Sequence, residues 1–349
     1  MFLNMIQFNW CGMKKRIAWI DLLRIIGIFG VILMHVVGNT INTYGNLTKN
    51  ANYLYAFVGI LFQFAVPLFV MISGMMFLNK KGITFKDMLK KYIIKILLII
   101  LFIGTCMILM EEIFINKSIS IDLIKKVFLR LITGDIWAHM WYLYLTFGLY
   151  LITPVLVIIT NNITQKDFKV FLILLFIITI FLSTLNNMFN IDIAFNTINI
   201  SGYIFYYFYG YYLYKYDVSK KYKVLNYILS FISIAFLFYY VKIHTSLDFS
   251  FSYTTFIPFT LASSCILLFK NKDIKLKANS LINSIGICSL GIYVLHQFFI
   301  NIIYKLLKFK YIVYHPYAGL IFYTLVVFII SYIVTYLLRK IKIIGKYLL

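Results

Sequence analysis

From one end to the other the chain alternates long apolar runs with short polar segments, most of them basic. Ten runs approach or reach the length needed to cross a bilayer, at about residues 20–38, 53–78, 93–111, 137–160, 169–186, 198–214, 224–241, 253–269, 284–304 and 317–338. Inside lipid only a helix or a closed barrel satisfies every backbone N–H and C=O, and roughly 20 apolar residues of helix span the hydrocarbon core. The pattern predicts an all-α, polytopic helical membrane protein with about ten transmembrane spans. The sixth run is the weakest, short and carrying seven tyrosines between Tyr203 and Tyr214. Tyrosine favours interfaces and polar cavities, so two readings stand: a wall of a substrate site, or an interfacial belt. Between the third and fourth runs, residues 121–132 have the periodicity of an amphipathic helix lying on the membrane surface.

Composition agrees with this pattern. The 349 residues are 62% hydrophobic and only 13% charged, too little charge for the surface of a soluble domain. A net charge of +22 raises the question of nucleic acid, but the basic residues sit in the loops between apolar runs, which is membrane topology and no nucleic-acid footprint. With the N-terminus inside, cytoplasmic segments collect 23 lysines and arginines and the opposite side 9. Both termini are therefore expected in the cytoplasm of a multi-pass cell-membrane protein. Its expected organisation is a cytoplasmic segment 1–19, a transmembrane domain 20–338 and a cytoplasmic tail 339–349. Lys14, Lys15 and Arg16 precede the first run with no small-residue cleavage site, so that run reads as a retained span. Cys11, Cys106, Cys265 and Cys288 have neither disulfide nor zinc spacing, and no metal site is expected.

Arg24 and His35 lie in the first run, with ten residues between them. Eleven steps of α-helix make three turns with only ~20° left over and rise ~16 Å, so both side chains share one stripe. Asp21, three residues before Arg24, falls near that stripe. Ionisable groups in a span are costly unless paired or lining a polar cavity, which makes all three functional candidates. The bland alternative is that Asp21 and Arg24 reach the headgroups and His35 sits at the opposite interface. Lysine outnumbers arginine 29 to 4 here, the bias of an AT-rich coding sequence, and Arg24 is the one arginine inside an apolar run. A guanidinium keeps its charge and grips phosphate or carboxylate with two N–H groups, which strengthens the functional reading. Asp21 is expected to be the only carboxylate in a span, and it lies at the span's end.

Four further constellations follow. Phe64–Gly74 holds Pro67 and then Ser73-Gly74, which suits either a kink facing a cavity or ordinary helix packing. Lys91 and Lys95 open the third span one turn apart; together they suit the phosphates of a nucleotide cofactor, while for either lysine alone the positive-inside rule is the better explanation. His139-Met-Trp141 starts the fourth span on the outer side, where an aromatic ring and an imidazole suit either a sugar face or an ordinary membrane interface. Tyr293 and His296 lie in the ninth span, and a second histidine inside a span makes a shared polar cavity credible.

Taken in chain order, these residues resemble the acyltransferase-3 family of integral-membrane acyltransferases. Asp21-Leu-Leu-Arg24 and the following His35 resemble its opening Asp-x-x-Arg and Arg-x10-His pattern. Val66-Pro-Leu-Phe-Val-Met-Ile-Ser-Gly74 resembles its second span, and His139-Met-Trp-Tyr-Leu-Tyr144 with Tyr150–Pro154 resembles its central His-x-Trp segment. Phe208-Tyr-Gly210 and Gly291-Ile-Tyr-Val-Leu-His296 resemble its later signatures. The resemblance implies acyl-CoA, acetyl-CoA in the first instance, as a donor substrate on the cytoplasmic side, with no resident cofactor. It implies a cell-surface or lipid-linked glycan as acceptor, a role for His35 in acyl transfer, and one for Arg24 in holding the donor or the active-site geometry. Lys91 and Lys95 stand where the family tends to write arginine. The additional span and extracytoplasmic esterase-like domain of many members are not found, so the chain is expected either to acylate the glycan itself or to hand the acyl group to a separate extracytoplasmic transferase.

The chemistry of the residues agrees. Acyl transfer to a hydroxyl needs a proton acceptor near neutral pH, which His35 supplies as a base or, alternatively, as a nucleophile that carries the acyl group. Ser73, His139, Trp141, Tyr293 and His296 are the candidate acceptor-binding residues, and Arg24, Lys91 and Lys95 the candidate donor-binding ones. The competing reading is a membrane exporter of an acylated glycan or small molecule, which would favour internal repeats and coupling carboxylates in mid-span; neither pattern is found.

Overall fold

A computed structural model of the chain describes residues 17–45, 47–115, 122–189, 200–243, 252–270, 272 and 280–349. Its longer helices are α1 (Ala18–Tyr44), α2 (Lys49–Phe77), α3 (Phe85–Phe114), α4 (Leu123–Thr133), α5 (Trp141–Asn162), α6 (Gln165–Phe189), α7 (Ile200–Lys215), α8 (Lys220–Ile243), α9 (Phe256–Phe269), α10 (Leu281–Leu306) and α11 (Pro316–Lys340). No strand occurs among the described residues. Each of the ten apolar runs falls on one of these helices, and eight helices are long and apolar enough to cross a membrane. Cys11 and His244 lie outside the described residues.

Of the helices that carry the ten runs, the two shorter ones, α7 with 16 residues and α9 with 14, reach about 24 and 21 Å, less than a ~30 Å hydrocarbon core. Both are wrapped by neighbours. Tyr206, Tyr207 and Tyr211 of α7 are fully buried, and their hydroxyls bond to Tyr253 O, Thr153 Oγ1 and Thr160 O. The tyrosine-rich run is therefore an inner packing helix and not an interfacial belt, since each buried phenol has a partner inside the bundle. Helix α7 lies directly on the second half of α2, where Gly74 and Gly210 make the contact reciprocal. A Cβ at Gly74 would stand 1.9 Å from Tyr207 O, and one at Gly210 would stand 2.2 Å from Met71 O. Only two glycines allow backbones this close.

Helix α2 is interrupted where its sequence requires it. Pro67 has no N–H for the carbonyl of Gln63, and the chain tightens into a 3-10 turn at Phe62–Phe64 before resuming as α-helix. Helix α3 begins earlier than its apolar run suggests. Thr84 and Asp87 form a reciprocal capping box that starts it at Phe85, so Lys91 and Lys95 lie inside the helix and do not open it. Three π-turns, Leu89–Ile93, Ile99–Ile103 and Glu111–Ile115, lie along α3, whereas α1 is one uninterrupted α-helix.

At its far end α3 carries Glu111 and Glu112 into the helix. Asp21 is thus not alone among carboxylates in the membrane helices: Glu112 is 1% exposed. Its charge is matched by the amphipathic α4, whose Lys126 and Arg130 reach it at 2.6 and 3.0 Å, while Arg130 also binds Glu111 at 2.8 Å. The opposite face of α4 exposes Ile124, Phe128 and Ile132, as a helix lying on a membrane surface requires. Because both carboxylates stand at a helix end and are tied to cations of α4, they form no mid-span coupling site of the kind an exporter uses.

Helix α1 occupies the centre, packed against α2, α10 and α11.

Candidate active site

At the starting end of α1, Asp21 is buried and Arg24 is 26% exposed; Arg24 Nη1 donates to Asp21 Oδ1 at 2.8 Å. The pair sits on the wall of an open cavity of about 770 Å³ lined also by Lys80, Lys81, Asp87, Lys91 and Tyr92. Lys80 Nζ donates to Tyr92 Oη at 3.0 Å and lies 4.4 Å from the Phe77 ring centroid. Lys91 bridges to Asp87 at 3.2 Å. The described wall thus carries four cations against two carboxylates, a surplus of positive charge that suits phosphate. Lys95 is not among the lining residues; it lies within electrostatic reach of Arg339 instead. Of the two lysines read as donor-binding, the structure brings only Lys91 to Arg24.

Asp21 keeps its place because α10 has no side chain there. A Cβ on Gly286 would stand 2.8 Å from Asp21 Cβ and Cγ and 2.9 Å from Oδ1. We expect Gly286→Ala to push the carboxylate off Arg24 and to destabilise the protein by about 1–3 kcal/mol, the usual range for overpacking. Thermal unfolding in detergent checks this: an unchanged melting temperature would mean that Asp21 has room to move.

Further along α1 the environment changes from charged to aromatic and neutral. Tyr150 of α5 feels the charge of Arg24, and its ring lies 6.1 Å from that of Tyr92. The Ser73 hydroxyl interacts with both Tyr150 and Tyr142. Tyr142 in turn lies 5.5 Å from the Tyr293 ring, which is 5.6 Å from His139. A line of hydroxyls and rings therefore joins the cavity at Arg24 to the neighbourhood of His35.

There three histidines meet. The His35 ring is 5.2 Å from His296 and 6.1 Å from His139, and His139 is 4.9 Å from His296, centroid to centroid. His139 and His296 are buried, 1% and 0% exposed. His139 precedes α5 by one short turn, and the Tyr293 hydroxyl donates to its carbonyl oxygen, which fixes that turn against α10. His139 is thus turned inward to the histidine cluster and not outward to the surface. Trp141 goes elsewhere, its ring 5.4 Å from Tyr253 and 5.9 Å from Tyr203. Among the described residues no set of three His, Cys, Asp or Glu side chains has metal-binding geometry, the three histidines included. One turn past His35 on α1, Asn39 Nδ2 bonds to the His35 carbonyl and Asn39 Oδ1 accepts from Gln297 of α10.

Sequence reading missed Lys80, Tyr92, Tyr142 and Tyr150. Lys80 looked like one more positive-inside lysine, although its place beside Phe77, next to the Ser73-Gly74 turn of helix, was available as a signal. The tyrosines were hidden by their abundance, with 29 in the chain.

The fold is that of a polytopic helical membrane protein, with a cationic cavity at one end of its central helix and a buried histidine cluster further along it. The chain belongs to the acyltransferase-3 family: the family model, described as an acyltransferase domain, matches residues 17–339. It is a multi-pass membrane acyltransferase. No curated protein and no solved structure matches the chain.

Proposed function

We propose that this acyltransferase is an O-acyltransferase of the cell membrane, moving an acetyl group from cytoplasmic acetyl-CoA to a hydroxyl of a cell-surface polysaccharide or its lipid-linked precursor. The observation that carries the reading is the shared stripe of α1, with Arg24 beside a phosphate-suited cavity and His35 about 16 Å further along. That separation is comparable to an extended pantetheine arm. The nucleotide phosphates of the donor rest near Arg24, Lys80 and Lys91, the arm follows Tyr92, Tyr150, Ser73 and Tyr142, and the thioester reaches His35. His35 then serves as the base for the acceptor hydroxyl or takes the acyl group first. Basic residues concentrated at the end where α1 starts support a cytoplasmic cavity and cytoplasmic termini. The acceptor then enters from the outer side, directly or by way of a separate extracytoplasmic transferase.

Radiolabelled acetyl-CoA offered to sealed vesicles tests both chemistry and orientation. Inside-out vesicles holding the protein and its glycan are expected to label the glycan with an alkali-labile acetyl group, and right-side-out vesicles are not. Labelling from the outer face would reverse the topology, and labelling from neither face would remove the proposed activity.

A further inference from the structure

The two buried histidines beside His35 have their protons assigned by their neighbours. His296 Nδ1 lies 2.5 Å from the carbonyl oxygen of Tyr293, and His139 Nε2 lies 3.2 Å from that of Val294. A carbonyl oxygen only accepts, so Nδ1 of His296 and Nε2 of His139 carry the N–H. The remaining nitrogens, Nε2 of His296 and Nδ1 of His139, are then lone-pair acceptors. Both are buried and neither has a hydrogen-bond partner among the described residues. Buried polar atoms are nearly always paired, and two orphaned acceptors on neighbouring rings call for a ligand that donates hydrogen bonds. The side-chain oxygens of Gln297, the residue after His296, and of Asn301, further along α10, are also buried acceptors without partners among the described residues. This wall is the opposite of an oxyanion hole, which is built of donors.

We propose that His139 and His296 are positioning residues for the acyl acceptor: their two lone pairs receive hydrogen bonds from two neighbouring hydroxyls of a polyol and so set a third hydroxyl, whose proton is uncommitted, against His35. The inference rests on the acyl-transfer reading and deepens it by naming what the acceptor presents, a pair of adjacent hydroxyl groups. In the transfer the proton of this third hydroxyl passes to His35 as its oxygen bonds to the acyl carbon. The carbon–sulfur bond breaks, and the departing thiolate takes the proton back from His35. His139 and His296 stay neutral throughout, each holding its N–H on a backbone carbonyl.

The test uses the full-length protein in nanodiscs, acetyl-CoA as donor, and de-O-acetylated polysaccharide from a deletion strain as acceptor. His139→Leu and His296→Leu remove the lone pairs. His139→Asn and His296→Gln return an amide oxygen close to Nδ1 and Nε2, respectively. We expect each leucine variant to raise the acceptor KM at least tenfold with the acetyl-CoA KM unchanged within twofold, and each amide variant to recover most of the loss. A merely structural role would move donor and acceptor constants together and would not be rescued by the amide. An unchanged acceptor KM in the leucine variants, a parallel loss for both substrates, or failure of the amide rescue overturns the proposal. Wild-type protein supplies an independent measure should a leucine variant not reach the membrane. There cis-cyclohexane-1,2-diol is expected to compete with the polysaccharide at least fivefold better than cyclohexanol, and equal competition overturns the paired-hydroxyl site. No transfer by the wild type would remove the acyl-transfer reading and this inference with it; transfer with unaltered variants removes the inference alone.

Discussion

His35→Ala is expected to abolish acyl transfer while leaving the protein in the membrane at normal level. The alanine removes a ring that contacts His139 and His296 but carries none of the hydrogen bonds that hold α1, α5 and α10 together. Those bonds run through Tyr293, Asn39 and Gln297, so the helices keep their packing. General-base catalysis by one positioned side chain is worth typically ~10²–10⁴-fold, and loss of a covalent acyl carrier would cost more. Transfer measured from acetyl-CoA in nanodiscs checks this, with melting temperature and monodispersity as controls for folding. A variant that folds and still transfers at the wild-type rate would take His35 out of the mechanism.

Arg24→Lys is expected to keep charge, topology and expression, yet to weaken acetyl-CoA binding ten- to a hundredfold. A lysine ends in a single ammonium and cannot hold Asp21 and a phosphate at once with the planar fork of a guanidinium. Loss of one charge-assisted contact costs about 1.5–3 kcal/mol, which sets that range. The effect should fall on the apparent KM for acetyl-CoA before that for the acceptor, because Arg24 faces the cavity with Lys80 and Lys91, about three helical turns away from the histidines. Asp21→Asn serves as the companion variant. If Asp21 only orients Arg24, the asparagine should shift the same constant by a smaller factor. Unchanged acetyl-CoA dependence in Arg24→Lys would leave the residue as a membrane anchor and remove the donor half of the proposed mechanism.

The sequence made the stripe from Asp21 to His35 legible because all three groups ride one helix whose period is known in advance. The membrane class was legible for a similar reason, since lipid permits few backbone solutions. What escaped was long-range. His139 and His296 were recognisable as unusual, but nothing in their spacing said that both rings turn toward His35. That depends on the Tyr293 hydroxyl meeting the His139 carbonyl, a contact between distant parts of the chain. Lys95 was grouped with Lys91 by helical period alone, and the position of the cavity separates them. Glu112 falls just past the third apolar run, 93–111, and α4, whose lysine and arginine make its burial tolerable, has to fold back before the charge can enter the membrane helix. Gly286 gave no signal at all, because its importance is the absence of an atom next to Asp21.

The contrast between a straight α1 and an α3 carrying three π-turns also bears on how such a chain tolerates changes in length. A π-turn absorbs one surplus residue by widening locally, so α3 has three places where an insertion leaves the rest of the helix in register. Between Arg24 and His35 there is no such slack. One added or deleted residue there swings His35 by about 100° around the axis, away from both partner rings. Length variation among homologues should therefore collect in the third helix and at the loops, and the interval from residue 24 to residue 35 should keep its count even where the amino acids inside it drift.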